Sequence, residues 1–180
     1  VGGVLFAEAQ AYAEWAGKRL PTLAEFQRAY EGGARRRYPW GDDVGDRERL
    51  FALFPRQSEL PDMREHATFE AYKLALYLAC VRPVGSEPFT DSVDGVADLF
   101  GNVVEWTSSL GAEYDEGARP GGGALEGASG WLTGLAAGKA YHPSFLFPFS
   151  EGEWSLQVSP QPRTARLVSI GFRCARSGAR

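Results

Sequence analysis

The sequence has few of the residue types that hold metals or act as nucleophiles: two cysteines, two histidines and one methionine among 180 residues. A structural zinc site requires four Cys or His ligands, so Cys80 and Cys174 cannot form one by themselves. They allow at most one disulfide, and the alternative is two buried thiols. His66 lies in the charged run MREHATFE, which is typical of a solvated helix face.

Long apolar runs and basic stripes are also missing. The apolar stretch 74–81 is far shorter than the ~20 residues of a membrane helix, so no membrane span is expected. The net charge is −4, and the cations are dispersed apart from the run 35–37. A phosphate backbone demands a basic surface, so nucleic acid is not an expected partner. No secretory signal opens the given sequence, which favours the cytoplasm.

Several catalytic motifs are absent. The sequence contains no G-x-S-x-G elbow and no H-E-x-x-H pair. The glycines at 121–123 are followed by Ala124 and Leu125, not by the Lys-Ser/Thr of a phosphate loop. Because these motifs are absent, the sequence gives no support for hydrolase or nucleotide-binding chemistry.

What the sequence does contain predicts one domain with an α+β arrangement. Helical spacing of apolar residues predicts a first helix over 5–16 and a third over 63–81. Thr22 and Glu25 have the spacing of a capping box, which predicts a second helix from Leu23 to about Tyr30. The run LVSIGFRCAR, 167–176, predicts a strand. Early helices followed by short late strands and long loops indicate a small antiparallel sheet.

Five stretches in this order resemble one family: AEAQAYAEWAGKRLPTLAEFQRA, RYPWGDD, PVGSEP, DLFGNVVEWTS and IGFRCAR. Together they resemble the formylglycine-generating-enzyme family, also called the sulfatase-modifying factors. The resemblance implies a fold of C-type-lectin type, with helices, a small twisted sheet and abundant loops, over 1–180. It also implies that an N-terminal portion of the domain precedes Val1.

The resemblance implies copper chemistry that this sequence does not match. Oxidase members of the family bind copper through a cysteine pair that follows an R-GGS segment, because Cu(I) prefers soft thiolates. The corresponding segment here is RPGGGAL, 119–125, and residues 126–145 contain no cysteine. A second branch, the iron-dependent sulfoxide synthases, uses a histidine-bearing domain, whereas this chain has only His66 and His142. We therefore expect no copper and no catalytic residues in this chain.

A structural calcium ion is the one cofactor that the resemblance implies. Family members bind it through the segment DLFGNVVEW, residues 98–106. Its ligands here would be the side chains of Asp98 and Glu105 and the backbone carbonyls of Gly101 and Val103, an oxygen set of the kind calcium takes. In the alternative interpretation, Asp98 and Glu105 pair with arginines such as Arg173 or cap backbone amides.

The segment between RPGGG and the last strand, 129–165, is rich in aromatic residues. Such side chains in loops are typical of recognition surfaces, and the alternative is an aromatic core beneath irregular backbone. The candidate ligand-binding residues are Trp131, Tyr141, His142, Phe145, Phe147 and Trp154. We therefore predict a non-catalytic module that binds a protein or a small molecule.

The resemblance also offers three more specific possibilities. Retroelement-diversified variable proteins of this family display ligand-binding residues before an IGFR-type final strand, as here. Alternatively, the chain is part of an enzyme of the family whose catalytic residues lie outside it. As a further alternative, it is a pseudo-enzyme that modulates a catalytic paralogue.

Overall fold

The computed structural model describes residues 1–43, 45, 48, 50, 52, 57–110, 133–137, 156 and 158–178. These residues include three α-helices: α1, Phe6–Trp15; α2, Leu23–Glu31; and α3, Phe69–Cys80. Short 3-10 helices cover Gln57–Glu59, Met63–Glu65 and Pro88–Thr90. In the described part of the chain, no helix combines the length and apolar character of a membrane span.

Helix α2 begins at the predicted capping box. The Thr22 hydroxyl accepts a hydrogen bond from the Glu25 amide at 3.1 Å, and the Glu25 carboxylate accepts one from the Thr22 amide at 2.8 Å. The Arg19 guanidinium donates two hydrogen bonds to the same carboxylate, each 2.6 Å long. Together with the amide of Thr22, Arg19 lowers the pKa of Glu25 to about 2. Thr22 and Arg19 therefore both hold Glu25 in place at the start of α2.

Replacing Thr22 by alanine is expected to lower the free energy of unfolding by about 1 kcal/mol, because the amide of Glu25 then has no side-chain acceptor. Urea unfolding followed by circular dichroism measures the change. Thr22→Ser retains the hydroxyl and serves as the matched control. Equal losses in the alanine and serine variants would contradict this account of the cap.

Helix α3 is shorter than the sequence predicts. The prediction of a continuous helix over 63–81 is wrong at its start, because Met63–Glu65 forms a separate 3-10 turn. The α-helix starts at Phe69, where the Thr68 hydroxyl accepts a hydrogen bond from the Ala71 amide at 3.1 Å. A capping threonine in extended conformation breaks the helix that the apolar spacing alone would continue.

The strands form one four-stranded sheet in the order β3-β2-β1-β4. They are β1, Val104–Leu110; β2, Thr133–Ala137; β3, Val158–Pro162; and β4, Ile170–Phe172. The pairs β1·β2 and β2·β3 are antiparallel, as predicted. The expectation of a purely antiparallel sheet is wrong for β1 and β4, which pair in parallel, with Glu105 opposite Gly171. Parallel strands require a long connection, and more than fifty residues separate these two.

The last strand is also shorter than predicted. Regular pairing covers only Ile170–Phe172 of the predicted strand 167–176, because the amide of Ile170 closes a turn onto the carbonyl of Leu167 at 3.0 Å. Beyond the strand, Ala175 forms an isolated bridge with Arg19. Gly171 lies inside the strand and does not interrupt it. A Cβ atom there would lie 2.3 Å from the carbonyl oxygen of Val1.

Among the described residues, two clusters of buried side chains form the core. We call the first the α1 cluster; its buried members are Phe6, Ala9, Ala13, Leu20, Trp106 and Ile170. We call the second the α2 cluster; its buried members are Leu23, Phe26, Tyr30, Tyr38, Leu50, Cys80, Leu99, Phe100 and Leu156. The segment 98–106 contributes to both clusters, so it lies where they meet.

The loop that contains the PWG motif, residues 38–43, is ordered by its aromatic rings. The rings of Tyr38 and Trp40 stack with their centroids 5.3 Å apart, and Trp40 meets Phe100 edge-on at 5.1 Å. The indole of Trp40 donates a hydrogen bond to the carbonyl of Asp43. The loop therefore packs directly on the segment 98–106.

Candidate functional site

The segment 98–106 is a turn that leads into strand β1. Three of its residues have positive φ: Asp98 at 55°, Gly101 at 87° and Asn102 at 61°. Between them, Leu99 and Phe100 are almost completely buried in the α2 cluster. The apolar side chains thus anchor the turn, while its backbone and polar side chains face inward on a common centre.

Arg173 occupies that centre. It follows β4, which places its guanidinium against β1, where it binds both carboxylate oxygens of Glu105. The same guanidinium donates hydrogen bonds to the backbone carbonyls of Ala97, at 3.1 Å, and Asp98, at 3.0 Å. It also lies over the ring of Phe26, 5.6 Å from its centroid. The two oxygens of Glu105 and the two carbonyls together accept hydrogen bonds from all three nitrogens of the guanidinium.

The ion pair is largely removed from solvent. The side chain of Glu105 is 8% exposed and that of Arg173 is 23% exposed. Burial raises the pKa of Glu105, and the charge and hydrogen bonds of Arg173 oppose the rise. Glu105 and Arg173 therefore depend on each other, because either one alone would be a buried charge without its partner.

The side chains of Asp98 and Asn102 form hydrogen bonds with the segment that follows α3. The carboxylate of Asp98 accepts a hydrogen bond from the amide of Gly85 at 2.8 Å. The side chain of Asn102 exchanges two hydrogen bonds with the backbone of Arg82, at 3.1 and 3.2 Å. Asn102 was not among the residues predicted for this site. Its position after a glycine in a turn was the available signal, because asparagine tolerates positive φ.

Three of the four predicted calcium ligands line one cavity, and Gly101 is not among its lining residues. Asp98, Val103 and Glu105 line a cavity of about 300 Å³, together with Tyr77, Val84 and Phe172 among others. Two carboxylates beside main-chain carbonyls fit the donor chemistry of calcium. However, Glu105 is paired with Arg173 and Asp98 caps the amide of Gly85, as the alternative interpretation held. Calcium binding therefore stays a prediction.

The predicted ligand-binding residues lie outside the described residues. They are Trp131, Tyr141, His142, Phe145, Phe147 and Trp154. From the same segment the structure describes β2 and parts of the chain from residue 156 onward, including β3. The aromatic recognition surface thus remains a hypothesis from the sequence. His66 packs near the ring of Tyr72, with 5.9 Å between centroids.

The two cysteines are separate free thiols, so the possible disulfide is not formed. Cys80 ends α3 and is buried in the α2 cluster, where burial raises its pKa to about 11. Cys174 is half-buried and packs against the α1 cluster. A copper site of the two-thiolate kind needs two adjacent, deprotonated sulfurs, and this pair does not fit it.

Comparison with known proteins gives a consistent assignment. Residues 1–178 match the family described as the sulfatase-modifying factor enzyme 1-like domain. The chain is 34% identical over 175 residues to the inactive C-alpha-formylglycine-generating enzyme 2 of Bos taurus, covering 96% of this chain and 48% of that protein. It thus spans about half the length of that relative.

Two further matches cover different fractions of the chain. The formylglycine-generating enzyme of Streptomyces coelicolor is 60% identical over 104 residues, covering 56% of this chain and 29% of that enzyme. A crystal structure of a protein named CarF aligns with a TM-score of 0.46 at 22% identity, over 89% of this chain and 47% of CarF. The similarity therefore extends to a relative named a formylglycine-generating enzyme and to a relative named inactive.

Proposed function

Because the chain belongs to the sulfatase-modifying factor (formylglycine-generating enzyme) family, we propose that it is a non-catalytic member that serves as a binding module. The family includes proteins named inactive, and one of them aligns with 96% of this chain. The α+β fold of the family is present, with its helices, its small open sheet and the segment 98–106 at the centre.

One observation carries the non-catalytic interpretation. The chain has two cysteines. Cys80 is buried in the α2 cluster, and Cys174 packs against the α1 cluster. Cys80 has a raised pKa, which keeps it a thiol and a poor metal ligand near neutral pH. Cysteine-pair copper chemistry, the chemistry that the family resemblance implies for oxidases, therefore lacks its ligands in this chain.

The binding surface is proposed for the aromatic segment before β4. Tryptophan, tyrosine and phenylalanine offer a large rigid contact area with few rotatable bonds, which suits recognition of a protein or a small molecule. The segment is joined to an ordered frame, because β2 pairs with β1 and β3 pairs with β2 in one sheet. A near-identical template copy of this segment beside the gene would support the retroelement-diversified subtype, and its absence would argue against that subtype.

The second candidate function is a catalytic one in which this chain forms part of a larger enzyme. It is favoured by the 60% identity to the Streptomyces coelicolor enzyme over 104 residues. This chain covers only 29% of that enzyme, so catalytic residues elsewhere in a longer protein are compatible with the match. The two candidates are distinguished by comparing this chain with the full-length gene product.

Titration with Cu(I) against a coloured chelator tests the non-catalytic interpretation. We expect no stoichiometric Cu(I) binding that withstands the chelator, and no change when both cysteines are replaced by serine. The Streptomyces coelicolor enzyme provides the positive control. Tight binding of one Cu(I) per chain that disappears in the serine variant would contradict the proposal.

We further propose that a calcium ion binds beside Asp98, with the carbonyls of Gly101 and Val103 and the carboxylate of Glu105 as its other ligands. Millimolar calcium is then expected to raise the melting temperature by a few degrees, because a ligand specific for the folded state stabilises that state. Asp98→Asn should lose most of this effect, while magnesium should produce little of it in either protein. Identical melting curves with and without calcium would remove the proposal.

A further inference from the structure

Three arginines converge at the end of α2, away from the centre at Arg173. Arg28 lies in the last turn of α2, and Arg35 and Arg36 follow in the turn GGARR. Within the described part of the chain, none of the three side chains forms a hydrogen bond or an ion pair. Elsewhere among the described residues, six ion pairs are formed.

Gly32 and Gly33 have no side chains, so they leave space for the guanidinium groups of Arg36 and Arg28. A Cβ atom on Gly33 would lie 2.6 Å from Nη1 and 3.1 Å from Nη2 of Arg28. A Cβ atom on Gly32 would lie 2.6 Å from Nη1 of Arg36. Two guanidinium groups therefore lie against two successive α-carbons.

The glycine at 33 is explained by this contact and not by its backbone. Gly32 ends the helix with φ +62°, which favours glycine, whereas Gly33 is outside the left-handed region. The amide of Arg36 donates a 2.7 Å hydrogen bond to the carbonyl of Glu31, which fixes the turn. Arg35 holds φ +54°, an uncommon conformation for a side-chain-bearing residue.

An open, polar cavity lies beside this turn, and Arg36 is not among the residues that line it. Arg28, Arg35 and both glycines line a cavity of about 420 Å³, together with Ala24, Gln27 and Glu31. The lining carries the positive charges of Arg28 and Arg35 and the negative charge of Glu31, and Arg36 adds a further positive charge beside Gly32. Arg28 also faces the negative end of the helix dipole, but Arg35 and Arg36 lie beyond the helix and gain little from it.

We infer that this cluster, Arg28, Arg35 and Arg36 around Gly32 and Gly33, is a binding site for a tetrahedral dianion of the phosphate or sulfate class. Guanidinium groups are planar donor forks that bind such oxygens in pairs, and they have no acceptor here among the described residues. A tetrahedral dianion has enough oxygens to accept paired hydrogen bonds from more than one guanidinium, which a single carboxylate has not. The site is independent of the proposed binding segment before β4.

The inference is tested by nuclear magnetic resonance titration with sodium phosphate and, separately, sodium sulfate. Ionic strength is held constant with sodium chloride at pH 8, and the backbone amides of Gly32 and Gly33 are followed. We expect saturable shifts at these two amides with both anions. Arg28→Gln should weaken the affinity roughly tenfold, because it removes charge-assisted hydrogen bonds.

Gly33→Ala is the sharpest variant, because it keeps every charge. Its new methyl group would displace the flexible end of Arg28, and the backbone conformation accepts alanine, so the protein should fold normally and bind phosphate several-fold more weakly. Arg176→Gln, at an exposed position elsewhere, is the charge-matched control and should bind like the unmodified protein. Absence of saturable shifts, unchanged affinity in both Arg28→Gln and Gly33→Ala, or an equal loss in Arg176→Gln would overturn the inference.

Discussion

Replacing Arg173 by methionine is expected to lower the free energy of unfolding by about 3–5 kcal/mol, the usual cost of removing one member of a buried ion pair. The substitution leaves the carboxylate of Glu105 without its partner and removes the donors to the carbonyls of Ala97 and Asp98. Methionine retains much of the apolar stem of Arg173 and removes the guanidinium that lies over Phe26, so the loss reports mainly on the charged group. Denaturant unfolding followed by tryptophan fluorescence measures it.

The double variant Arg173→Met with Glu105→Gln separates the cost of the unpaired charge from the cost of the lost packing. It is expected to be more stable than the single arginine variant, because a neutral amide tolerates burial better than an unpaired carboxylate. Arg64→Met is the matched control, because Arg64 pairs with Asp62 on the surface, where ion pairs contribute little. If Arg173→Met and Arg64→Met had equally small effects, the central role of Arg173 would be wrong.

Replacing Trp106 by alanine is expected to lower the free energy of unfolding by about 3–5 kcal/mol, the range for large aromatic side chains in a core. Trp106 is fully buried in the α1 cluster and meets Phe6 edge-on, with 5.7 Å between ring centroids. Its indole donates a 3.0 Å hydrogen bond to the carbonyl of Val4, so the substitution also leaves that acceptor unpaired. Thermal and denaturant unfolding both measure the loss.

Trp131 and Trp154 provide the comparison that bears on function. If they belong to a binding surface, Trp131→Ala and Trp154→Ala should each change the free energy of unfolding by less than about 1 kcal/mol. If they instead form an aromatic core, their losses should approach that of Trp106→Ala. Similar losses for all three tryptophans would contradict the proposed surface.

The sequence predicted the local features well because their causes are local. Thr22 and Glu25 are three residues apart, so their spacing alone identifies the start of α2. Likewise, the PWG loop and the segment 98–106 are recognisable as motifs. The start of α3 was misplaced because the apolar spacing continues across Thr68, and spacing does not report which residue caps a helix.

The centre of the site depends on contacts that are distant in the sequence. Arg173 and Glu105 are 68 residues apart, and their contact results from the parallel pairing of β4 with β1, which the sequence analysis did not predict. The sequence therefore named Arg173 only as one alternative partner. The arginine cluster at Gly32 and Gly33 was visible as a basic run, but its convergence on the end of α2 required coordinates.

The Glu105–Arg173 ion pair forms the centre of the segment 98–106, and the two cysteines are free thiols. The centre is occupied by a guanidinium that joins β1, β4 and the turn before β1. The cysteines belong to different clusters of the core. The family match establishes the fold, whereas we propose that this chain alone does not perform oxidation chemistry.

Incubation with a cysteine-containing substrate peptide, Cu(I) and oxygen tests that central claim most directly. The peptide is analysed by mass spectrometry, with the Streptomyces coelicolor enzyme as the active control and the full-length gene product as a second sample. We predict that this chain leaves the peptide cysteine unchanged while the control converts it to formylglycine. Conversion by the full-length product alone would support the catalytic alternative, and conversion by this chain would contradict the account.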